Sequence, residues 1–154
     1  MKPIFSILTT TLIAANIVMA TPALSANMDS SSLPPEAKQG NVNFVTGGIG
    51  KDEAVVFQRA AKNFPLELEF VMKDKPKDAF LADVNVTIRN HFGEMVLDTT
   101  SQGPFLLATL PPGKYDVIAD IAGSIKHKVV SINAHEHEMT VLEWAKSDNL
   151  NSNE

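Results

Sequence analysis

The chain contains no cysteine. That excludes disulfides, thiolate metal sites, a cysteine nucleophile and a lipid anchor on cysteine. A chain without crosslinks must hold itself together by burial. Positive charge is also scarce: 13 Lys+Arg stand against 18 Asp+Glu, a formal net charge of -5. An acidic balance argues against nucleic acid and against anionic membrane surfaces as partners. Gly-x-Ser-x-Gly is missing, so acyl transfer has no visible nucleophile. Thr46-Gly47-Gly48-Ile49-Gly50 lacks the Gly-Lys-Ser/Thr ending of a P-loop, and no parallel βαβ pattern surrounds it as a dinucleotide fingerprint requires.

The one long apolar run is at the start. Lys2 precedes Ile4 to Ala20, and Thr21-Pro22-Ala23-Leu24-Ser25-Ala26 follows with small residues. This is the layout of a secretory signal peptide over 1–26, cut after Ser25 or Ala26. A membrane anchor is the alternative, but the run is marginal for a bilayer span of about 20 residues. The expectation is a periplasmic or secreted protein without stable membrane insertion after cleavage. Residues 27–40 carry a Ser run and a Pro pair and read as a disordered lead; 147–154 read as a disordered tail. Residues 41–146 then form one domain.

Within it, Lys51 to Asn63 predicts a helix. Asp52 and Glu53 suit its first turn, Phe57, Ala60, Ala61 and Phe64 make an apolar face, and Pro65 stops it. Everything beyond reads as strands. Leu66, Leu68, Phe70 and Met72 alternate with glutamates, and Val84, Val86 and Ile88 alternate with polar residues. Asn90-His91-Phe92-Gly93 turns a hairpin, and strands follow to Trp144. The pattern predicts a mostly β fold: an antiparallel Greek-key sandwich of seven or eight strands with one N-terminal helix.

Pro111-Pro112-Gly113 cannot lie inside a central strand, because neither proline donates to a ladder. It must be a corner. Tyr115, the only tyrosine, starts the next strand, where it can bury its ring and return its hydroxyl to the backbone upstream. Its role is then structural.

These residues carry a resemblance. LADVNVTIRN and GEMVLDTTSQGPFLLATLPPGKYDVIADIAG look like the carboxypeptidase regulatory-like domain, a transthyretin-like (prealbumin-like) sandwich. Leu110, Pro111, Pro112, Gly113 and Tyr115 match its corner, and the likeness spans about Leu81 to Ile132. The preceding VTGGIGKDEAVVFQRAAKNFPLELEF resembles the front half of small exported bacterial proteins. The resemblance implies an accessory, non-catalytic sandwich. Hydroxyisourate hydrolase shares that type of sandwich, but its Tyr-Arg-Gly-Ser ending has no counterpart in Leu150 to Glu154.

Two clusters remain as candidate sites. His135-Glu136-His137-Glu138 contains the HxxE spacing of metallocarboxypeptidases, but the second downstream histidine is missing. In a strand, His135 and His137 would share one side. With His127 or His91 they could hold Zn or Cu through three imidazoles. A solvated turn is the alternative. His127 shares a strand face with Ile125 and Val129, which predicts that it points inward. The Gly47, Gly48, Gly50 turn is the second candidate, as a binding turn grouped at one end of the sandwich with the Pro111–Gly113 corner. The expected function is a non-enzymatic binding or accessory module for an unknown protein or glycan partner, with no cofactor; periplasmic Cu or Zn binding is the alternative.

Overall fold

The computed structural model describes residues 32–148. The expected signal peptide, residues 27–31 of the expected lead and the last six residues of the tail lie outside them. Among the described residues no helix is long and apolar enough to cross a membrane.

Ten strands and one α-helix follow in order: β1 (Ala37–Gln39), β2 (Val42–Gly47), α1 (Lys51–Ala61), β3 (Leu66–Lys73), β4 (Ala79–Phe80), β5 (Val84–Asn90), β6 (Met95–Ser101), β7 (Phe105–Thr109), β8 (Gly113–Ile121), β9 (Ser124–Ile132) and β10 (Glu138–Ala145). They build a β-sandwich. One sheet runs β1-β2-β7-β3-β10 with β4 added to β3; the other runs β6-β5-β8-β9.

The helix is shaped by its ends. Asp52 and Glu53 occupy its first turn and Arg59 its last, each on the side the helix dipole favours. It stops at Ala61, and Pro65 follows at the entry to β3.

Period-two alternation sorts the strand residues into two cores. Leu106 and Ala108 of β7 point between the sheets, with Leu66, Leu68 and Phe70 of β3 and Val84, Val86 and Ile88 of β5. Phe105 and Leu107 point the other way and meet Phe57, Ala61 and Phe64 beneath α1. The rings of Phe57 and Phe105 stack with centroids 5.9 Å apart. Because β7 is covered on both faces, it reads as one apolar run rather than an alternating strand.

Four expectations need correcting. The lead up to Gly40 is not wholly disordered: Gly40, with φ 56, and Asn41 turn a two-residue hairpin that pairs Ala37 to Gln39 with Val42 to Phe44. The tail begins ordered: the Asp148 carboxylate accepts from Ala145 N–H at 2.9 Å and pairs with Lys126 at 3.1 Å. The short β1 and β4 raise the strand count above eight. Finally, the sandwich is not wholly antiparallel. β10 pairs with β3 in parallel, Glu138 opposite Leu66 through Ala145 opposite Lys73, because it enters from the other sheet rather than from a hairpin. The indole N–H of Trp144 donates to Ser124 O at 2.9 Å and links β10 to β9 across the sheets.

Candidate functional site

The helix covers only part of the outer face of its sheet, and a groove opens at its N-terminal end. The chain leaves β2 at Gly47 and turns through Gly48 and Gly50. Gly48, at φ 93, lies where any Cβ would meet the Phe105 ring, so only glycine fits. The Glu53 carboxylate folds back and accepts from Ile49 N–H at 3.2 Å. The fixed turn holds the Ile49 side chain out, 63% exposed.

Two further apolar side chains border the same groove: Val55 of α1, 49% exposed, and Phe80 of β4, 56% exposed. Ala54, Leu81, Ala82 and Pro104 complete the apolar wall. The Phe80 ring is held 5.8 Å from the buried Phe105 ring, so it is exposed yet positioned. The groove, open to solvent along one side, has a volume of about 690 Å³, within the range of small-molecule sites. Lys51, Lys77 and Asp78 are its charged residues. Asp78 pairs with Lys73 at 2.7 Å, and that hydrogen bond holds its carboxyl below its ordinary value.

Phe80 also borders a smaller cleft of about 350 Å³ with Glu69, Val71, Lys73, Val141 and Glu143. Lys73 bridges Asp78 and Glu143, the latter at 3.1 Å. Burial, and then the charge of Glu67, push the Glu69 carboxyl above its ordinary value; Lys73 opposes them.

The three histidines do not form a metal centre. His135 sits at φ 67 in the exposed turn before β10, not in a strand, so the shared side expected of His135 and His137 does not arise. Both ring nitrogens of His137 are engaged: Nδ1 lies 2.8 Å from Phe64 O, and Nε2 lies 2.9 Å from the Glu67 carboxylate. His127 projects outward from the other sheet, 3.6 Å from Asp116, with its side chain 58% exposed. The expectation that it points inward is wrong because the alternation of β9 puts Val130 and Ile132 on the core face and His127, with Ile125 and Val129, on the solvent face. Among the described residues no group of three or more His, Cys, Asp or Glu side chains is placed to hold a metal ion.

The Pro111–Gly113 corner joins β7 to β8, and Tyr115 donates its hydroxyl to Pro111 O at 2.8 Å. Leu110 is buried in the inter-sheet core. The corner does not share an end with the glycine turn. Gly47 opposes Phe105, the first residue of β7, whereas Leu110 and Pro111 follow Thr109, its last. At the rise of a strand this separates them by at least about 13 Å. Gly48 and Gly50 line the groove; Gly47 lies behind it, against Glu53 and Phe57. Sequence reasoning missed Val55 and Phe80. Val55 sits beside the apolar stripe of α1, and Phe80 follows a charged turn, with no periodicity to mark either.

No protein-family model matches the chain. No curated protein matches it either. Solved structures that are similar include two in particular. The 5-hydroxyisourate hydrolase of Klebsiella pneumoniae is 15% identical with a TM-score of 0.39, over 51% of this chain and 89% of that one. The Bacillus anthracis TIE protein is 22% identical with a TM-score of 0.38, over 52% of this chain; the match spans 16% of that much longer protein. Neither likeness carries an activity across. The fold is a β-sandwich with one covering helix, read from the sheets themselves.

Proposed function

We propose that this protein is an exported, non-catalytic binding module, and that the groove at the Gly48–Gly50 turn is its binding site. One observation carries the reading: Ile49, Val55 and Phe80, three of the large apolar side chains left exposed, converge on one concavity. Scattered apolar residues need no explanation, but a rigid apolar concavity does. The lining supports binding over catalysis. Its titratable groups are two lysines and one salt-bridged aspartate, and the histidines lie elsewhere. A largely aliphatic wall also suits an apolar ligand better than a glycan, which needs convergent hydrogen-bonding groups. The acidic sandwich with a leader-like N-terminus and the corner resemblance to carboxypeptidase regulatory-like domains agree with a periplasmic or secreted accessory role.

The test is titration of the purified protein with Nile red, an uncharged apolar fluorophore. Saturable enhancement that Val55→Asp abolishes supports the reading. Enhancement unchanged by Val55→Asp places the dye elsewhere and contradicts it. Val55 is half-exposed, so the substitution leaves the fold intact.

A further inference from the structure

The groove is not uniformly apolar. Its rim carries three charged side chains, and only Asp78 has a salt-bridge partner. Lys51, at the start of α1, and Lys77, in the turn before β4, take part in no ion pair among the described residues. The lining thus carries two unpaired ammonium groups against one carboxylate, itself paired with Lys73, although the whole chain carries a formal charge of -5. Glu53 accepts from the Ile49 amide and is not part of the lining. Asp52 is exposed in the first turn of α1 and is not part of the lining. An apolar concavity with two free ammonium groups at its edge is complementary to an amphipathic anion, which would place its hydrocarbon inside and one negative group at the mouth.

Resting on the reading of the groove as a binding site, we infer that its ligand is a medium- or long-chain monocarboxylate, with the alkyl chain between Ile49, Val55 and Phe80 and the carboxylate between Lys51 and Lys77. The ammonium groups keep their stems along the groove wall and their heads in water, as long cationic side chains do at apolar edges. The apolar wall then sets affinity by chain length. The lysines set the preference for a charged head over a neutral one, and that preference weakens with salt.

The experiment is calorimetric titration with octanoate, decanoate and decan-1-ol, all below their aggregation limits. The proteins are the wild type, Val55→Asp and the double variant Lys51→Gln/Lys77→Gln. The inference predicts that decanoate binds about fifteenfold more tightly than octanoate, from two further buried methylenes. It predicts a preference for decanoate over decan-1-ol of about fivefold, typical of an exposed ion pair. That preference disappears in the lysine double variant and at high salt, while decan-1-ol binding is unchanged. Equal binding of decanoate and decan-1-ol to the wild type overturns the carboxylate assignment and leaves the groove reading standing. Failure of both to bind, together with Nile red enhancement insensitive to Val55→Asp, overturns both.

Discussion

Nε2 of His137 lies 2.9 Å from the carboxylate of Glu67, a side chain only 6% exposed. On the other side of the ring, Nδ1 faces the Phe64 carbonyl, which can only accept, so Nδ1 donates. Nε2 faces the Glu67 carboxyl, so both ring nitrogens are engaged. The contact fastens the turn before β10 to the start of β3, where the parallel pairing begins at Glu138 and Leu66.

Removing the ring therefore strands a buried carboxyl. His137→Ala is predicted to destabilise the protein by about 2 kcal/mol. Glu67→Gln, which keeps a hydrogen-bonding side chain, costs less. Denaturant melts of the two single variants and the double variant measure the coupling; additive effects would contradict it.

Tyr115 offers a second test. Tyr115→Phe keeps the ring and loses the bond to Pro111 O, at a cost of about 1 kcal/mol. Burial also pushes the hydroxyl above its ordinary value. The folded state thus holds the proton at pH values where the unfolded chain releases it. Stability contributed by this group is full below about pH 10 and falls as pH rises through the folded value. Tyr115→Phe is predicted to flatten that alkaline limb. Because the chain has a single tyrosine, phenolate absorbance reports the titration directly.

Glu69 behaves in the same direction at acid pH. Its carboxyl is raised by burial and by Glu67, so the folded state disfavours the ionised form. The protonated group contributes most below its ordinary value, near 4.5, and that contribution is lost as pH rises through the folded value. Glu69→Gln is predicted to raise the melting temperature at pH 7 and to leave it nearly unchanged at pH 4. A lower melting temperature at pH 7 would contradict this account.

Gly48 joins stability to the site. Gly48→Ala places a methyl against the Phe105 ring at a positive φ and is predicted to cost about 2 kcal/mol or more. Moving Phe105 also displaces the Phe80 ring that rests on it. Nile red affinity should fall with stability, and a variant that melts normally yet loses the dye would still report the site.

The parts of this fold legible in the sequence are those fixed by local physics. Alternation marked β3, β5 and β8, acidic residues and Pro65 bracketed α1, and two prolines before Tyr115 marked the corner. What was not legible depends on distant partners. The parallel pairing of β10 has no local signal, because β10 alternates like any half-buried strand. The outward set of His127 follows from which face of β9 meets the core, and apolar residues on both faces, Ile125 and Val129 against Val130 and Ile132, leave that open in the sequence. Glu67 reads as a solvent-facing glutamate until His137, seventy residues away, covers it. The glycine turn was visible as a turn. Its neighbours in the groove, Val55 and Phe80, come from separate elements and meet only in three dimensions.

The groove itself is tested most directly by methyl-resolved NMR of the protein titrated with decanoate. The account predicts saturable shifts at Ile49, Val55, Ala54 and Leu81, with Ile125 and Val129, equally apolar and exposed on β9, left unmoved. Shifts at Ile125 and Val129, or uniform small shifts across all exposed methyls, would contradict it.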